Sequence, residues 1–476
     1  MAVRHLPRRD FLKALGAAAI AGPAILRRPV RGAVTNRKLN VVMMVADDQR
    51  HDTIAALGND HIQTPHLDRL TRDGFAFTRA RCMGSQQGAV CVPSRAMLHT
   101  GRTLFRVPDN IGQFPMLGEV LQGAGYTSFG CGKWHNGPQS FARGFNAGGN
   151  IFFGGMHDQY NTPVHDYSPD GNYPAKSQHA GSKFSSELFA DAAVDFLGHQ
   201  KSSEKPFFCY LAFTSPHDPR TPPAPYKTMY DPKAIPLPAN FLPEHPFDNG
   251  EMKVRDEMLA PFPRTPADTR RQLCDYYGMV SSQDAQVGRV LAALEESGQA
   301  ENTIVIYTGD HGLAIGSHGL FGKQNVYEHS ASIPLIMTGP SIPRGGRSDA
   351  LVYGFDIFPT LCEMLNIKSP GGIEGKSLRR ITGGRETLVR DSAFHAYIHH
   401  NKAAHTADTQ HAVNDGRWKY IRYDVRGKMR VQLFDLQADP AEIHDLSADL
   451  AASKELPRTA ALLTRWQSDL GEPSFT

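Results

Sequence analysis

Three apolar runs constrain this chain more than any other feature. They are Leu39-Asn40-Val41-Val42-Met43-Met44-Val45-Ala46, Pro206-Phe207-Phe208-Cys209-Tyr210-Leu211-Ala212-Phe213, and Asn302-Thr303-Ile304-Val305-Ile306-Tyr307-Thr308. A strand with one wet face alternates apolar and polar residues. An unbroken apolar run reads as a strand buried on both faces, as in a parallel sheet. Each run ends in reactive side chains: Asp47-Asp48, then Thr214-Ser215-Pro216-His217-Asp218-Pro219, then Gly309-Asp310-His311-Gly312. In open α/β sheets the carboxyl ends of the strands are where ligands bind.

Between the runs, apolar residues recur at helical spacing over Leu117–Ala124, Phe184–Leu197, Arg270–Gly298 and Phe355–Leu365. Residues 136–183, rich in Gly, Asn, His and Tyr, read as a long loop region over the active face. Residues 219–266, crowded with prolines, read as an irregular excursion near the site. After about Gly383 the texture changes. Trp418–Tyr423 and Val431–Leu436 alternate like half-exposed antiparallel strands, and Leu456–Leu470 reads as a closing helix.

A chain of 476 residues divides into two units rather than one. A formal net charge of +3 gives no argument for nucleic acid. Six cysteines without paired spacing form neither a zinc module nor a dense disulfide framework. Arg8-Arg9-Asp10-Phe11-Leu12-Lys13, followed by the apolar run Ala14–Leu26, reads as a twin-arginine targeting segment. That run is short for a membrane span. Cleavage after Ala24 or after Ala33 fits equally.

Cys91 to Arg102 places a nucleophile at the mouth of a helix. Pro93 suits a first turn and Gly101 the far end. A helix start presents free N–H groups to an anion, and Arg95 adds a planar cationic fork. Lys133 and His135 stand two apart after a short strand, and so face one side of an extended segment. Asp47 and Asp48 repel each other unless a cation lies between them.

Cys-x-Pro-Ser-Arg at 91–95, followed by Leu-His-Thr-Gly-Arg at 98–102, resembles the signature of the type I sulfatases. Gly-Lys-Trp-His at 132–135 is similar to their second signature. Gly-Lys-x-x-x-Tyr-Glu at 322–328 is similar to a further element of theirs. The resemblance implies an alkaline-phosphatase-like α/β sandwich with a largely parallel central sheet, plus a small α+β C-terminal domain. The expected boundaries are 1–35 for the targeting segment, 36–383 for the catalytic domain and 384–476 for the C-terminal subdomain. Asp47, Asp48, Cys91, Asp310 and His311 would hold a metal. Ca²⁺ suits the oxygen-rich donor set, with Mg²⁺ or Mn²⁺ also compatible. Cys91 would be converted to formylglycine by a formylglycine-generating enzyme. Arg95, Lys133, His135, His217 and Lys323 would surround the sulfate.

The resemblance also implies the chemistry. A hydrated aldehyde offers one hydroxyl to attack sulfur and a second whose proton loss, to His135, expels sulfate. A plain Ser or Cys would be trapped as its ester. His217 or Lys323 would protonate the departing alcohol. The expected substrate is a sulfate monoester, with a sulfated carbohydrate as first guess. The enzyme would be exported, folded, by the twin-arginine machinery to the periplasm or outside. Two alternatives stay open at this level: a phosphonate monoester hydrolase or phosphodiesterase of the same superfamily, and a non-catalytic binder of sulfated glycans. His395, His399, His400 and His405 are further candidates to read substrate.

Overall fold

In the computed structural model, which describes residues 37–473 except 202 and 402–405, the first apolar run lies in the middle of an eight-stranded sheet. The strands that matter here are β1 (Asn40–Ala46), β2 (Phe75–Phe77), β3 (Gly84–Ser85), β4 (Thr127–Lys133), β5 (Ala147–Phe152), β6 (Phe207–Ala212), β7 (Thr303–Gly309), β8 (Leu335–Thr338), β9 (Gly346–Ser348), β10 (Ala393–Asn401), β11 (Thr406–Asn414), β12 (Trp418–Val425) and β13 (Lys428–Asp435). The large sheet runs β9-β2-β8-β7-β1-β6-β4-β5. Pairing is parallel from β7 through β5, and antiparallel only on the two sides of β8.

The unbroken apolar pattern has the expected cause. Every residue of β1 is buried, and its side chains alternate between two separate cores. Val41, Met43 and Val45 pack with α2 (Cys91–Thr100) and α5 (Ile357–Met364). Val42, Met44 and Ala46 pack with α1 (Pro65–Asp73), α3 (Ser185–His199) and α4 (Pro266–Glu296). Each buried Val or Met side chain contributes about 1.5–3 kcal/mol. Two apolar layers therefore fix β1 at the centre, and with it the position of Asp47.

The 136–183 stretch departs from the long loop read in the sequence. It contains a short helix, Pro138–Gly144, and the edge strand β5. Its Ala-Gly-Gly-Asn start carries no strand propensity because the backbones crowd there. A Cβ on Gly148 would lie 2.7 Å from the Gly130 carbonyl oxygen. Strands β10 and β11 likewise carry no plain apolar–polar alternation.

The second sheet runs β13-β12-β11-β10-β3, with α6 (Glu455–Leu470) packed on β11 and β12. Its last member, β3, comes from the loop before Cys91, so this sheet reaches back to the nucleophile. Gly84 makes that pairing possible: φ is 112°, and a Cβ would meet the Ala396 carbonyl oxygen at 1.8 Å. Residues 1–35, read as a targeting segment, lie outside the described residues, as does His405. No helix among the described residues is long and apolar enough to cross a membrane.

Asp284 on α4 caps α1 from outside, accepting from His66 N at 3.2 Å and Leu67 N at 2.7 Å. Burial pushes its carboxyl up to about 7, against those two bonds, and Asp68 adds to the push. The folded state therefore holds this proton to higher pH than the unfolded chain. The associated stability is present in full below about pH 4 and is lost as pH rises through about 7. Relative to Asp284→Asn, the wild type should lose on the order of 2–4 kcal/mol between pH 4 and pH 8. Urea unfolding of both proteins across that range measures it. A pH-independent difference would contradict the account.

Candidate active site and metal centre

The carboxyl ends of β7, β1, β6 and β4 lie side by side, and the chain leaves each one with a reactive residue. Ala46 and Gly309 are register partners, so Asp47 and Asp310 emerge level, with Asp310 N donating to Ala46 O at 3.1 Å. Lys133 ends β4. His217 follows β6, but in a turn rather than the extended backbone that its flanking prolines suggested: its N–H donates to Thr214 O at 3.1 Å. Helix α2 is buried along its whole length and delivers Cys91 at its first position and Arg95 one turn on. It ends as its sequence predicts, at Gly101 with φ 64°, whose N–H donates to Met97 O at 2.9 Å.

Around the Cys91 sulfur, His135 Nδ1 stands at 3.1 Å and Lys133 Nζ at 3.6 Å. The pair does converge, though not by strand alternation. His135 has a left-handed φ of 65°, which turns the chain back after β4. Arg95 donates from Nε to Asp310 Oδ2 at 3.0 Å and from Nη1 to Lys133 O at 2.8 Å. Its Nη2 lies 3.8 Å from Asp47 Oδ1.

The two adjacent carboxylates avoid each other by diverging, since Asp48 takes φ 63°. Each then meets its own lysine. Lys133 donates to Asp47 Oδ2, and Lys323 Nζ donates to Asp48 Oδ1 at 2.9 Å and Oδ2 at 3.0 Å. His311 Nε2 is 3.2 Å from Asp48 Oδ1, and His217 Nε2 is 3.8 Å from Asp48 Oδ2. All ten side chains singled out from the sequence thus stand in one cluster, and all but His135 are buried.

Burial alone would raise the Cys91 thiol. Lys133 and hydrogen bonds with His135 and His311 reverse this and hold it well below its ordinary value. Such a group is a ready thiolate. Burial opposes charge on His311, but Asp310 and Asp48 push it up to about 9. His217 goes the other way: burial, Lys323 and Lys133 bring it down to about 3, so it is neutral. Its Nδ1 donates to Asp218 O at 2.8 Å, which leaves the Nε2 lone pair free. Lys323 is held cationic by Asp48 and Asp256 despite its burial.

The donor set fits a divalent metal. Asp47, Cys91, Asp310 and His311 offer ligand atoms all within 4.8 Å of one another, and Asp48 adjoins them through His311. Two of those atoms, Asp47 Oδ1 and His311 Nε2, are buried without a hydrogen-bond partner. Buried polar atoms are seldom left so. His311 Nδ1 donates to Gly312 O at 2.9 Å, so the proton that a bound metal would displace is the one on Nε2. Burial pushes Asp47 well up against the pull of Lys133 and Arg95, with Asp310 and Cys91 adding to the push.

The sequence did not reveal the residues behind this cluster. Asp256 Oδ2 lies 4.0 Å from Lys323 Nζ and accepts from Gln324 Nε2 at 2.8 Å. Asp218 sits behind His217, and Arg255 binds both acids. Arg255 and Asp256 belong to the proline-rich excursion, where no motif or periodicity marks them. His395, by contrast, is part of the core: it is buried with Nδ1 3.1 Å from Cys82 O, and so does not serve the site. His399 pairs with Glu251 at 2.6 Å.

Comparison with known proteins agrees with this geometry. The Sulfatase family model matches residues 39–367, and the model of the N-sulphoglucosamine sulphohydrolase C-terminal region matches residues 316–465. The chain is 25% identical to an N-acetylglucosamine-6-O-sulfatase of Bacteroides thetaiotaomicron, covering 90% of this chain and 86% of that protein. It is 28% identical to an arylsulfatase of Clostridium perfringens, covering 86% and 90%. A structure solved with its substrate D-glucosamine-2-N,6-O-disulfate superposes with a TM-score of 0.76 at 24% identity, covering 92% of this chain and 99% of that one. The fold is the alkaline-phosphatase-like sandwich of those structures. The strand-end carboxylates, the helix-mouth cysteine and the matched models lead to one conclusion: this chain belongs to the sulfatase family of sulfuric ester hydrolases.

Proposed function

We propose that the protein hydrolyses sulfate monoesters of carbohydrates, using residue 91 as formylglycine and a divalent ion, calcium first. The observation that carries this is the cluster itself. Lys133 and His135 stand against the Cys91 sulfur, Lys323, His217 and His311 against Asp48 beside it, and Arg95 against Asp310, while Asp47 Oδ1 and His311 Nε2 are buried without a hydrogen-bond partner. The names of the relatives support the substrate class. Asp47, Asp48, Asp310, His311 and residue 91 would hold the ion. When present, the formylglycine hydrate supplies a nucleophile with a second hydroxyl, and the ion neutralises charge beside it.

The remaining roles belong to the chain. Arg95 braces Asp310 and the Lys133 carbonyl, so the helix mouth and the strand end keep a fixed spacing. Lys133 and Lys323 bind the sulfate oxygens, in a buried site where their charge is worth far more than in water. His135, 3.1 Å from the sulfur of residue 91, takes the proton whose removal expels sulfate. Lys323 and His217 face the leaving oxygen: cationic Lys323 returns a proton to it, and neutral His217 accepts a hydrogen bond from the resulting alcohol. Export of the folded, converted chain by residues 1–35 completes the reading.

Tetrahedral sulfate and phosphonate differ little in shape, so turnover must separate them. The converted enzyme should show kcat/KM for an aryl sulfate at least about ten-fold above that for an aryl phosphonate monoester, a difference of about 1.4 kcal/mol. A panel of sulfated monosaccharides then gives the natural class. The reverse preference would assign the enzyme to phosphonate hydrolysis. Binding of sulfated sugars with no turnover of any ester would make it a binding protein.

A further inference from the structure

Arg255 connects the two sides of the leaving-group region. Its Nη1 donates to Asp218 Oδ2 at 2.6 Å and its Nη2 to Asp218 Oδ1 at 3.0 Å, a two-bond fork. Its Nε donates to Asp256 Oδ1 at 2.9 Å. Both carboxylates are buried, at 5% and 6% exposure, while the Arg255 side chain is 44% exposed and covers them. The thioether of Met156 touches the guanidinium from the 153–160 loop.

Each carboxylate leads to a different residue of the leaving-group region. His217 Nδ1 donates to Asp218 O at 2.8 Å and lies 3.3 Å from Asp218 Oδ1. Asp256 Oδ2 lies 4.0 Å from Lys323 Nζ. The same oxygen accepts from Gln324 Nε2 at 2.8 Å, and that amide also donates to Gly88 O, 2.9 Å away and three residues before Cys91. One cation thus sets the spacing between His217 and Lys323.

An exposed arginine–carboxylate pair is usually worth little. Here the partners are buried, and removing the arginine would leave two uncompensated negative charges. Asp218 would then draw on the His217 ring, and Asp256 on the Lys323 ammonium. We propose that Arg255 is a positioning residue for proton delivery to the leaving alcohol, acting through Asp218 on His217 and through Asp256 on Lys323. This rests on the sulfatase reading above. As the ester S–O bond breaks, its electron pair stays on the ester oxygen. The proton from the cationic Lys323 Nζ arrives on that same atom, and neutral His217, whose free Nε2 lone pair can accept the new O–H, orients it.

Leaving-group dependence tests this. A nitrophenolate departs without a proton, whereas a sugar alkoxide needs one. With formylglycine content verified and metal supplied, Arg255→Gln should lower kcat/KM for a nitrophenyl sulfate by less than about three-fold. It should lower kcat/KM for a sugar sulfate by about a hundred-fold, the lower end of acid–base contributions. Arg255→Lys keeps the charge without the fork and should recover only part of the loss. Affinity for inorganic sulfate, measured by calorimetry, should stay within about two-fold, since the sulfate contacts lie elsewhere.

Equal losses on both esters, or no loss on either, would overturn the proposal. If Arg255→Gln does not fold, Asp256→Asn serves instead and should show the same selective loss; a uniform loss there counts against the proposal equally. A wild type that cleaves neither ester would refute the reading of the site, a failure distinct from that of Arg255.

Discussion

Replacing Cys91 with alanine should cost at least about ten-thousand-fold in kcat/KM for any sulfate ester, the scale on which removing a nucleophile acts. The fold should survive. Cys91 is the first residue of α2, and Ala is a good helix former there. Cys91→Ser is the sharper variant. Its single hydroxyl can attack sulfur, but there is no second proton whose loss expels sulfate, so the residue-91 peptide should carry a sulfate adduct after one turnover. His135 and Lys133 stand against position 91 in either oxidation state, and the unconverted thiol is itself held low. Mass spectrometry of the wild-type peptide therefore decides the matter. An aldehyde mass is expected in active enzyme, and an unmodified thiol in fully active enzyme would sink the mechanism.

The site was legible in the sequence because its residues sit where strong patterns end. Asp47 and Asp310 follow apolar runs that two helical layers bury, so charge at that point reads as function. Pro93 and Gly101 bracket α2, and the helix occupies that interval. Lys133 and His135 converge for a different reason than strand alternation: the left-handed backbone at His135 turns the imidazole to the sulfur.

Other features left no local trace. Strand β5 packs so closely on β4 that glycine takes the place of the branched residues that mark a strand. Strands β10 and β11 bury polar side chains against other parts of the fold. His395 reaches the Cys82 carbonyl, and Gln410 donates to the carbonyls of Asn249 and Gln324 at 2.9 and 3.1 Å. An alternation rule cannot find such strands, because their polar residues point inward. Arg255 and Asp218 are 37 residues apart, and nothing in either neighbourhood announces the other.

Stripping divalent metal from the converted enzyme should lower activity by about a thousand-fold or more, since a bound cation supplies several kcal/mol of charge stabilisation in such sites. Calcium should restore activity and raise the thermal midpoint. A hundred-fold excess over Kd adds about 2.7 kcal/mol of stability. The identity of the ion should depend on residue 91. With Cys91 unconverted, the cluster offers a thiolate, an imidazole and two carboxylates, a donor set that suits zinc. Conversion replaces sulfur with oxygen and moves the set toward calcium or magnesium. The unpartnered Asp47 Oδ1 and His311 Nε2 are present in either case, so both forms should bind an ion, but different ones. Exposing the two forms to equimolar zinc and calcium, then measuring retained metal by plasma mass spectrometry, tests this directly. Full turnover in metal-free protein would remove the ion from the mechanism. Identical selectivity in the two forms would show that residue 91 is not among its ligands.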